Sequence, residues 1–410
     1  MDDSKRTEAR KGFVMLTSVL PSSPADNAGA RYVHWVANAV ANRFEFLALV
    51  PDGPAAHRAR QIGQVPRHKL LGGAEVRSIT PAKAFFTKGV ALVFPVRVPW
   101  RFVRDLVNNS VVRKAVRQAE IIDLQWQEQG LLIPLLRILN PRARIVCTFH
   151  DVLSQRFKRA RDSAKSPLPR ARWTWAALTA RLTEQQILRQ ADAVIVFSEK
   201  DARLLPTGKA KIHIVVPPLA AGMERIQRSS PVSGEILFVG ALSRWENEEG
   251  LLWFLSDVWP LVRASVPEAR FRIAGGGIRP AIQTAADVAG ADLLGFVPNL
   301  APLYEQASVV VAPLRLGAGV KFKVIDALAA GVPVVTTTVG AEGIGDPSWF
   351  AGLDDDAQQF ANAVVETLHR PGLSVERVEN IRRDVLKTYG HEQFDHSIAT
   401  VYSMTPIGSH

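Results

Sequence analysis

The sequence predicts an α/β protein in which two parallel sheets, each covered by helices, follow one another along the chain. Three observations predict it. From Phe13 onward, short apolar runs alternate with longer amphipathic stretches, the pattern of strands joined by helical crossovers. The alternation stops at Pro217-Pro218, where LAAGMERIQRSSPVSG is rich in Ser, Gly and Pro and carries no strand signal; such a segment marks a domain boundary. A second alternation then begins at Glu235.

In the first half the strands read FVMLTSVL, FEFLALV, IIDLQW, ARIVCTFH, ADAVIVF and KIHIVV. The first of them follows a charged stretch and superficially copies a signal peptide. Asp2, Asp3 and Glu8 oppose that reading, and a short apolar run ending at Pro and Gly is what a first buried strand looks like. In the second half EILFVG is a strand, NEEGLLWFLSDVWPLVRASV a helix and ARFRIAG a strand that ends in a Gly triplet. ADLLGFV and ASVVVAP are strands, VIDALAAG a helix and VPVVTTT a strand, and Val375 to Met404 is helical throughout. The expected divisions are 1–220, 221–390 and a C-terminal helix and tail over 391–410. Two Rossmann-like domains in tandem imply a ligand cleft, because open α/β sheets bind ligands beyond the carboxyl ends of their strands.

Composition narrows the class. At about 150 residues per domain, 410 residues give two or three domains, and 47% hydrophobic with 22% charged residues is ordinary for a chain that folds in water. No apolar run approaches the roughly 18 residues of a spanning helix; Gly89 to Val96 is typical. The single cysteine, Cys147, forbids an intrachain disulfide and a Cys-rich zinc site, and fits a reducing, cytoplasmic compartment. The net charge of +11 divides into +18 over residues 1–220 and −7 over 221–410, so the halves are expected to serve different partners.

The segment richest in chemistry is Pro313 to Gly345, PLRLGAGVKFKVIDALAAGVPVVTTTVGAEGIG. A Gly-rich loop that opens a helix presents free backbone N–H groups and the positive end of the helix dipole, which suits a phosphate. Lys321 and Lys323 add positive charge beside it, and Asp326, a helical turn on, is placed to accept hydrogen bonds from a ribose diol. Neither a G-x-G-x-x-G fingerprint nor a Walker A loop is present, and an ordinary strand-turn-helix connection with solvated lysines is the alternative. Asp354-Asp355-Asp356 contains an Asp-x-Asp pair of the kind a metal-dependent transferase uses, but it directly precedes the amphipathic AQQFANAVVETL, where acidic residues cap a helix. The nine histidines lack zinc spacing. No metal and no cofactor are expected.

The Pro313–Gly345 segment resembles the donor-site signature of retaining glycosyltransferases of family 4 (glycosyltransferase group 1), which share the two-Rossmann GT-B fold. That signature is Glu, seven residues, Glu, then Ala-Met-Ala-x-Gly-x-Pro-Val-Val. Asp326-Ala-Leu-Ala-Ala-Gly-Val-Pro-Val-Val335 matches its second half with Asp for Glu, and Ala318 stands where the first Glu would be. The loop matches a subgroup with Gly-x-Gly-x-Lys-x-Lys. Phe238-Val239-Gly240 and Asn247-Glu-Glu-Gly250 resemble the family's first donor-domain loop, with Arg244 the nearest candidate for a diphosphate-gripping cation and Lys321 for another. Gly275-Gly276-Gly277 ends a strand, and Gly295-Phe296-Val297 resembles the segment whose backbone reads the base.

In the first half Asn27-Ala28-Gly29-Ala30 stands where the family has a glycine loop near the donor phosphate. Thr148-Phe149-His150-Asp151 ends a strand, with His150 matching a histidine beside the sugar and diphosphate; a strand-end His is otherwise structural. Ser198-Glu199-Lys200-Asp201 reads mainly as a helix cap.

The resemblance implies His150, Lys321 and Arg244 as catalytic residues. It implies donor binding by Gly29, Gly240, Gly275, Gly276, Phe296, Val297, Gly319, Val320, Lys321, Lys323 and Asp326. It further implies an N-terminal acceptor domain, a C-terminal nucleotide-sugar domain and C-terminal helices that return to the first. The reaction implied transfers a sugar from a nucleotide diphosphate sugar to a saccharide or lipid-linked acceptor with retention, in polysaccharide or glycolipid biosynthesis. A sugar-nucleotide epimerase or an inverting transferase is the alternative, and would need a carboxylate base in the first domain.

The basic charge of the first half concentrates in Arg97 to Arg117 and Arg156 to Arg189, mixed with Trp100, Phe102, Trp173 and Trp175. Basic residues interleaved with aromatics suit an anionic lipid surface, here the inner face of the plasma membrane; a solvated basic face with its aromatics in the core is the alternative. Without an RNA-recognition signature or zinc finger, no nucleic-acid partner is expected.

Overall fold

The computed structural model describes residues 11–23, 28–72, 96–164, 166–220, 222–226, 228, 232–369 and 375–404. The charged N-terminal residues, Asn27 and residues 89–95 of the apolar run singled out above lie outside that set. The described chain divides into two units. One holds residues up to Phe197 together with 201–215 and the segment from Asp395; the other holds Ser198–Lys200 and Val216–Phe394.

The first unit is built on seven strands: β1 Gly12–Leu16, β2 Glu45–Pro51, β3 His68–Leu71, β4 Ala119–Gln125, β5 Arg144–Thr148, β6 Ala193–Val196 and β7 Lys211–Ile214. They lie in the order β3-β2-β1-β4-β5-β6-β7, every pair parallel. The second unit has six: β8 Glu235–Val239, β9 Arg270–Ala274, β10 Asp292–Gly295, β11 Val309–Ala312, β12 Val334–Thr336 and β13 Gly352–Leu353, in the order β10-β9-β8-β11-β12-β13, again all parallel. In each sheet the chain reverses its direction of travel beside its first strand, between β1 and β4 and between β8 and β11. Those are the switch points where loops part and leave a crevice.

Helices on both faces bury the central strands completely, which is why β6 (AVIV) and β11 (VVVA) are uninterrupted apolar runs. The strands missing from the sequence reading are short edges. β3, HKLL, buries only Leu71, and β13 is two half-buried residues, so neither carries a periodic apolar signal. β1 is shorter than FVMLTSVL because Thr17 Oγ1 bonds to Val19 O and turns the chain. The helix read over NEEGLLWFLSDVWPLVRASV widens into a π turn at Phe254–Val258. Pro260, which has no N–H to give and clashes with the carbonyl a turn earlier, accounts for it. Trp259, Phe254, Phe271 and Phe360 close around this turn and form the second unit's aromatic core.

One expectation for the basic half is corrected. Phe102 is fully buried and packs in the first unit's core with Leu106, Val112 and Val116. It is the inward face of an amphipathic helix, Trp100–Asn108, whose Trp100 is 71% exposed.

Gly250 lies on the helix Trp245–Trp253 where it presses on the start of the Gly-rich loop: a Cβ there would stand 2.3 Å from Pro313 O. Since backbone cannot yield as a side chain does, Gly250→Ala is expected to destabilise the second unit by about 1–3 kcal/mol, read as a lower denaturant midpoint with an unchanged slope.

Candidate functional site

In the second unit the loops after β8 and β11 meet beside the switch point. β8 ends at Val239, and Gly240 follows as the chain turns. A Cβ on Gly240 would stand 2.9 Å from Lys323 Nζ, 3.1 Å from Asn247 Nδ2 and 3.2 Å from the Phe238 ring. A side chain at 240 would therefore crowd the lysine in its present place. Lys323 reaches this place from the helix Phe322–Ala329, donates to Asn247 Oδ1 at 2.7 Å and lies 4.3 Å from the centre of the Phe238 ring. Asn247 is itself fixed by donating to Ala241 O at 2.8 Å. Behind them, a Cβ on Gly275 would fall 1.8 Å from Gly240 O, so the Gly triplet lets the loops after β8 and β9 stack backbone to backbone.

The Gly-rich loop uses its glycines for conformation: Gly317 has φ 107° and Gly319 φ 71°, values that side-chain-bearing residues avoid. Lys321 folds back on this loop and donates to Gly319 O at 2.5 Å and Ala318 O at 3.2 Å, while Val320 is buried. Arg244 precedes the helix Trp245–Trp253 and keeps 56% of its side chain exposed, with Nε 3.6 Å from Glu246 Oε2. Burial holds the Lys323 ammonium well below the ordinary lysine value; Arg244 and Lys321 act in the same direction and Glu246 opposes them. Three cations and one buried carboxylate thus gather around a glycine turn, an arrangement that favours an incoming multivalent anion.

Asp326 is buried and accepts the backbone N–H of Ala220 at 3.0 Å, so it also anchors the segment that follows β7. Phe296 is 71% exposed, and its Cβ would stand 3.5 Å from a Cβ built on Gly276; half-buried Val297 follows it. The sequence reading missed Glu246 and passed over Asn247 as part of a helix start. Their signal was the distance from Gly240, which brings the first turn of the next helix back over the strand end.

The remaining predicted residues belong to the first unit. His150 follows β5 and is half-buried. Its ring stacks on Trp126 with centres 3.9 Å apart and planes at 10°, and meets the edges of Tyr32 and Phe197 at 5.2 Å each. Gly29 lies on the helix Ala28–Ala41, about one turn before Tyr32. Burial pushes the His150 imidazole down to about 3, so it is neutral at pH 7. Trp126 has φ 74°, an uncommon conformation for a side-chain-bearing residue, and such strain clusters at functional sites.

The Asp354–Asp356 carboxylates are engaged locally. Asp356 accepts from Gln358 N and Gln359 N at the start of the following helix, Asp354 from Asp356 N, and Asp355 from the amide and hydroxyl of Thr338. Among the described residues no group of three or more His, Cys, Asp or Glu is gathered as a metal site would require, and no helix is long and apolar enough to cross a membrane.

Comparison with known proteins assigns the class. The chain has the GT-B fold. It is similar to sucrose-phosphate synthase from Thermosynechococcus elongatus at TM-score 0.67 and 19% identity, over 96% of this chain and 98% of that one. It is also similar to Alr3699/HepE of Anabaena, solved in complex with UDP-glucose, at TM-score 0.68 and 13% identity, over 95% and 99%. Residues 233–370, within the second unit, match the family Glycosyl transferases group 1. A curated relative, an uncharacterized 44.6 kDa protein in the cps region of Klebsiella pneumoniae, is 32% identical over 118 residues, 27% of this chain and 30% of the relative's length.

The Lys323 environment has a pH signature. Unfolded, the side chain titrates near 10.5; folded, it titrates well below that. Between the two values the unfolded state holds the extra proton, so stability rises with pH. Wild type is therefore expected to gain stability relative to Lys323→Met as the pH rises toward the unfolded lysine's value, measured by denaturant unfolding of both proteins in the same buffers.

Proposed function

We propose that the protein is a retaining glycosyltransferase of family 4, in the Gly-x-Gly-x-Lys-x-Lys subgroup, transferring a sugar from a nucleotide diphosphate sugar to a saccharide or lipid-linked acceptor in polysaccharide or glycolipid biosynthesis. One observation carries the reading: the enclosed Lys323, set under Gly240 at the switch point with Lys321 and Arg244 nearby. A half-buried amine pushed toward its neutral form regains its charge when an anion arrives beside it, and a diphosphate is the ligand that would balance it. The UDP-glucose bound to the Anabaena protein and the cps region of the Klebsiella relative support the donor class and the biosynthetic role.

In the reaction proposed, the acceptor hydroxyl attacks the anomeric carbon from the face the diphosphate leaves. The bond from that carbon to the phosphate oxygen breaks, and the same phosphate oxygen takes the acceptor proton, giving a glycoside and a nucleoside diphosphate. Lys321, Lys323, Arg244 and the N–H groups around Gly319 and Val320 take up the negative charge on the diphosphate. Asp326 holds the ribose diol, the backbone near Phe296 and Val297 meets the base, and Gly275 and Gly276 leave it room; in the first unit, Gly29 and His150 are the positions the resemblance gives to the sugar. No step is assigned to a metal or cofactor.

The same reading extends to the membrane. The helix Pro167–Gln190 exposes Leu168, Trp175, Leu178 and Leu182 at 85%, 48%, 52% and 56%, spaced so that they fall on one stripe. Arg170, Arg172 and Arg181 accompany them, and the neighbouring helix Leu153–Asp162 adds Lys158. An apolar stripe among exposed arginines matches an anionic bilayer surface, and we assign it to peripheral binding at the cytoplasmic face.

A thermal-shift panel of UDP-, GDP- and ADP-sugars is expected to give one stabilising donor class. Asp326→Ala should weaken that nucleotide about tenfold while leaving its 2′,3′-dideoxy counterpart unaffected. No stabilisation by any of them would defeat the assignment. In flotation with vesicles, binding should require anionic lipid, weaken with salt, and drop several-fold in a Trp175→Ser, Leu178→Ser variant; equal recovery with neutral vesicles would refute the membrane role.

A further inference from the structure

Beneath His150 runs a buried polar chain that the reaction above does not use. Tyr402, at the end of the helix His391–Val401, donates its hydroxyl to Asp123 Oδ1 at 2.7 Å. The other Asp123 oxygen accepts from Gln125 Nε2 at 2.7 Å, and the same amide nitrogen lies 3.3 Å from Thr148 Oγ1. Gln125 Oε1 is 3.0 Å from His150 Nε2. Asp123, Gln125, Thr148 and Tyr402 are all buried, and Asp123 and Gln125 are successive same-face positions of β4.

The direction of this chain follows from what each group can do. An ionised carboxylate only accepts, so both groups that meet Asp123 are donors. That fixes the Gln125 amide, because a flipped amide would set its oxygen against the carboxylate and its nitrogen against the ring. With Nε2 turned to Asp123, Oε1 is left facing the ring and requires N–H there. Burial raises the Asp123 carboxyl to about 6, with the bonds from Gln125 and Tyr402 opposing the rise, so it is ionised at pH 7. Trp126, the residue after Gln125, clamps the plane of the same ring.

We infer that Tyr402, Asp123 and Gln125 are positioning residues that hold His150 in its Nε2–H form, so that the ring offers the Nδ1 lone pair to a hydroxyl of the donor sugar. The sugar contact rests on the function proposed above; the tautomer does not. The ring then acts as a neutral acceptor that selects a hydroxyl. The chain's C-terminal helix thereby supports the chemistry of the first unit from a residue 279 positions away from Asp123.

The test uses the full-length protein with 15N-labelled histidine. Two-bond 1H–15N spectra at neutral pH are read for His150, which is identified by its loss in His150→Asn. Wild type is expected to show one tautomer, with Nε2 protonated and Nδ1 bare. Gln125→Met and the milder Tyr402→Phe should show averaging between the two forms, more so in Gln125→Met. A wild-type ring protonated on Nδ1, or the same single tautomer in both variants, would overturn the inference.

In calorimetry with UDP-, GDP- and ADP-glucose and the matching nucleoside diphosphates, the variants should lose about 5- to 10-fold in affinity for the sugar nucleotide alone, the scale of one net hydrogen bond. An equal loss for the bare diphosphate would mean a merely structural role and defeat the positioning claim. If wild type binds no nucleotide at all, the function and the hydroxyl contact fall together, and the spectra still judge the relay.

Discussion

The close approach of backbone at Gly240 and Gly275 is the constraint on which the second unit's site depends. With Gly275 against Gly240 O, the loops after β8 and β9 stack without side chains between them, and the turn at Gly240 is drawn tight over the end of its strand. The space this leaves is taken by the half-buried Lys323. Asn247 and Phe238 then hold the ammonium through a hydrogen bond and a ring face, both weaker compensations than a carboxylate at contact distance would provide. Glycine geometry and charge are therefore one feature: the first creates the cradle, and the second gives it its positive potential.

The two units treat a buried charge in opposite ways. In the first, Asp123 receives hydrogen bonds from Tyr402 and Gln125, and a buried polar group satisfied in this way fixes orientation rather than seeking a ligand. In the second, Lys323 sits among other cations and is pushed toward its neutral form. A charge left under-compensated is a reason to bind; a charge fully answered is a reason to stay rigid. Both arrangements stand next to loop residues with left-handed backbone: Trp126 in one unit, a strained conformation that surrounding contacts must fix, and Gly317 and Gly319 in the other, where glycine adopts it without strain.

Much of the architecture was legible because a parallel sheet buried on both faces writes itself as uninterrupted apolar runs. Strands with partners on both sides announced themselves, while β3 and β13, short and half-open, did not. The Gly-rich loop was legible for a related reason, since glycine at a positive φ is a local requirement. What stayed hidden was long-range. Nothing near Tyr402 signals Asp123, nothing near Asp326 signals Ala220, and Phe102 reads as an interfacial aromatic until its helix is seen to face inward. Glu246 looked like an ordinary acidic helix start, and only the fold brings it among cations.

The charge asymmetry of the sequence takes a definite form in these terms. The second unit lies in the acidic half of the chain, yet three of its cations, Arg244, Lys321 and Lys323, gather at one strand end, so local placement outweighs net charge. Among the described residues, the first half's excess of positive charge has no comparable focus. It is spread over helix surfaces, and on the helix Pro167–Gln190 it accompanies an apolar stripe that the fold leaves exposed. On the function proposed above, charge concentrated over a glycine turn would select a small anion through geometry, whereas charge dispersed along a helix beside leucines and tryptophan imposes no geometry and would suit an extended, fluid, negative surface.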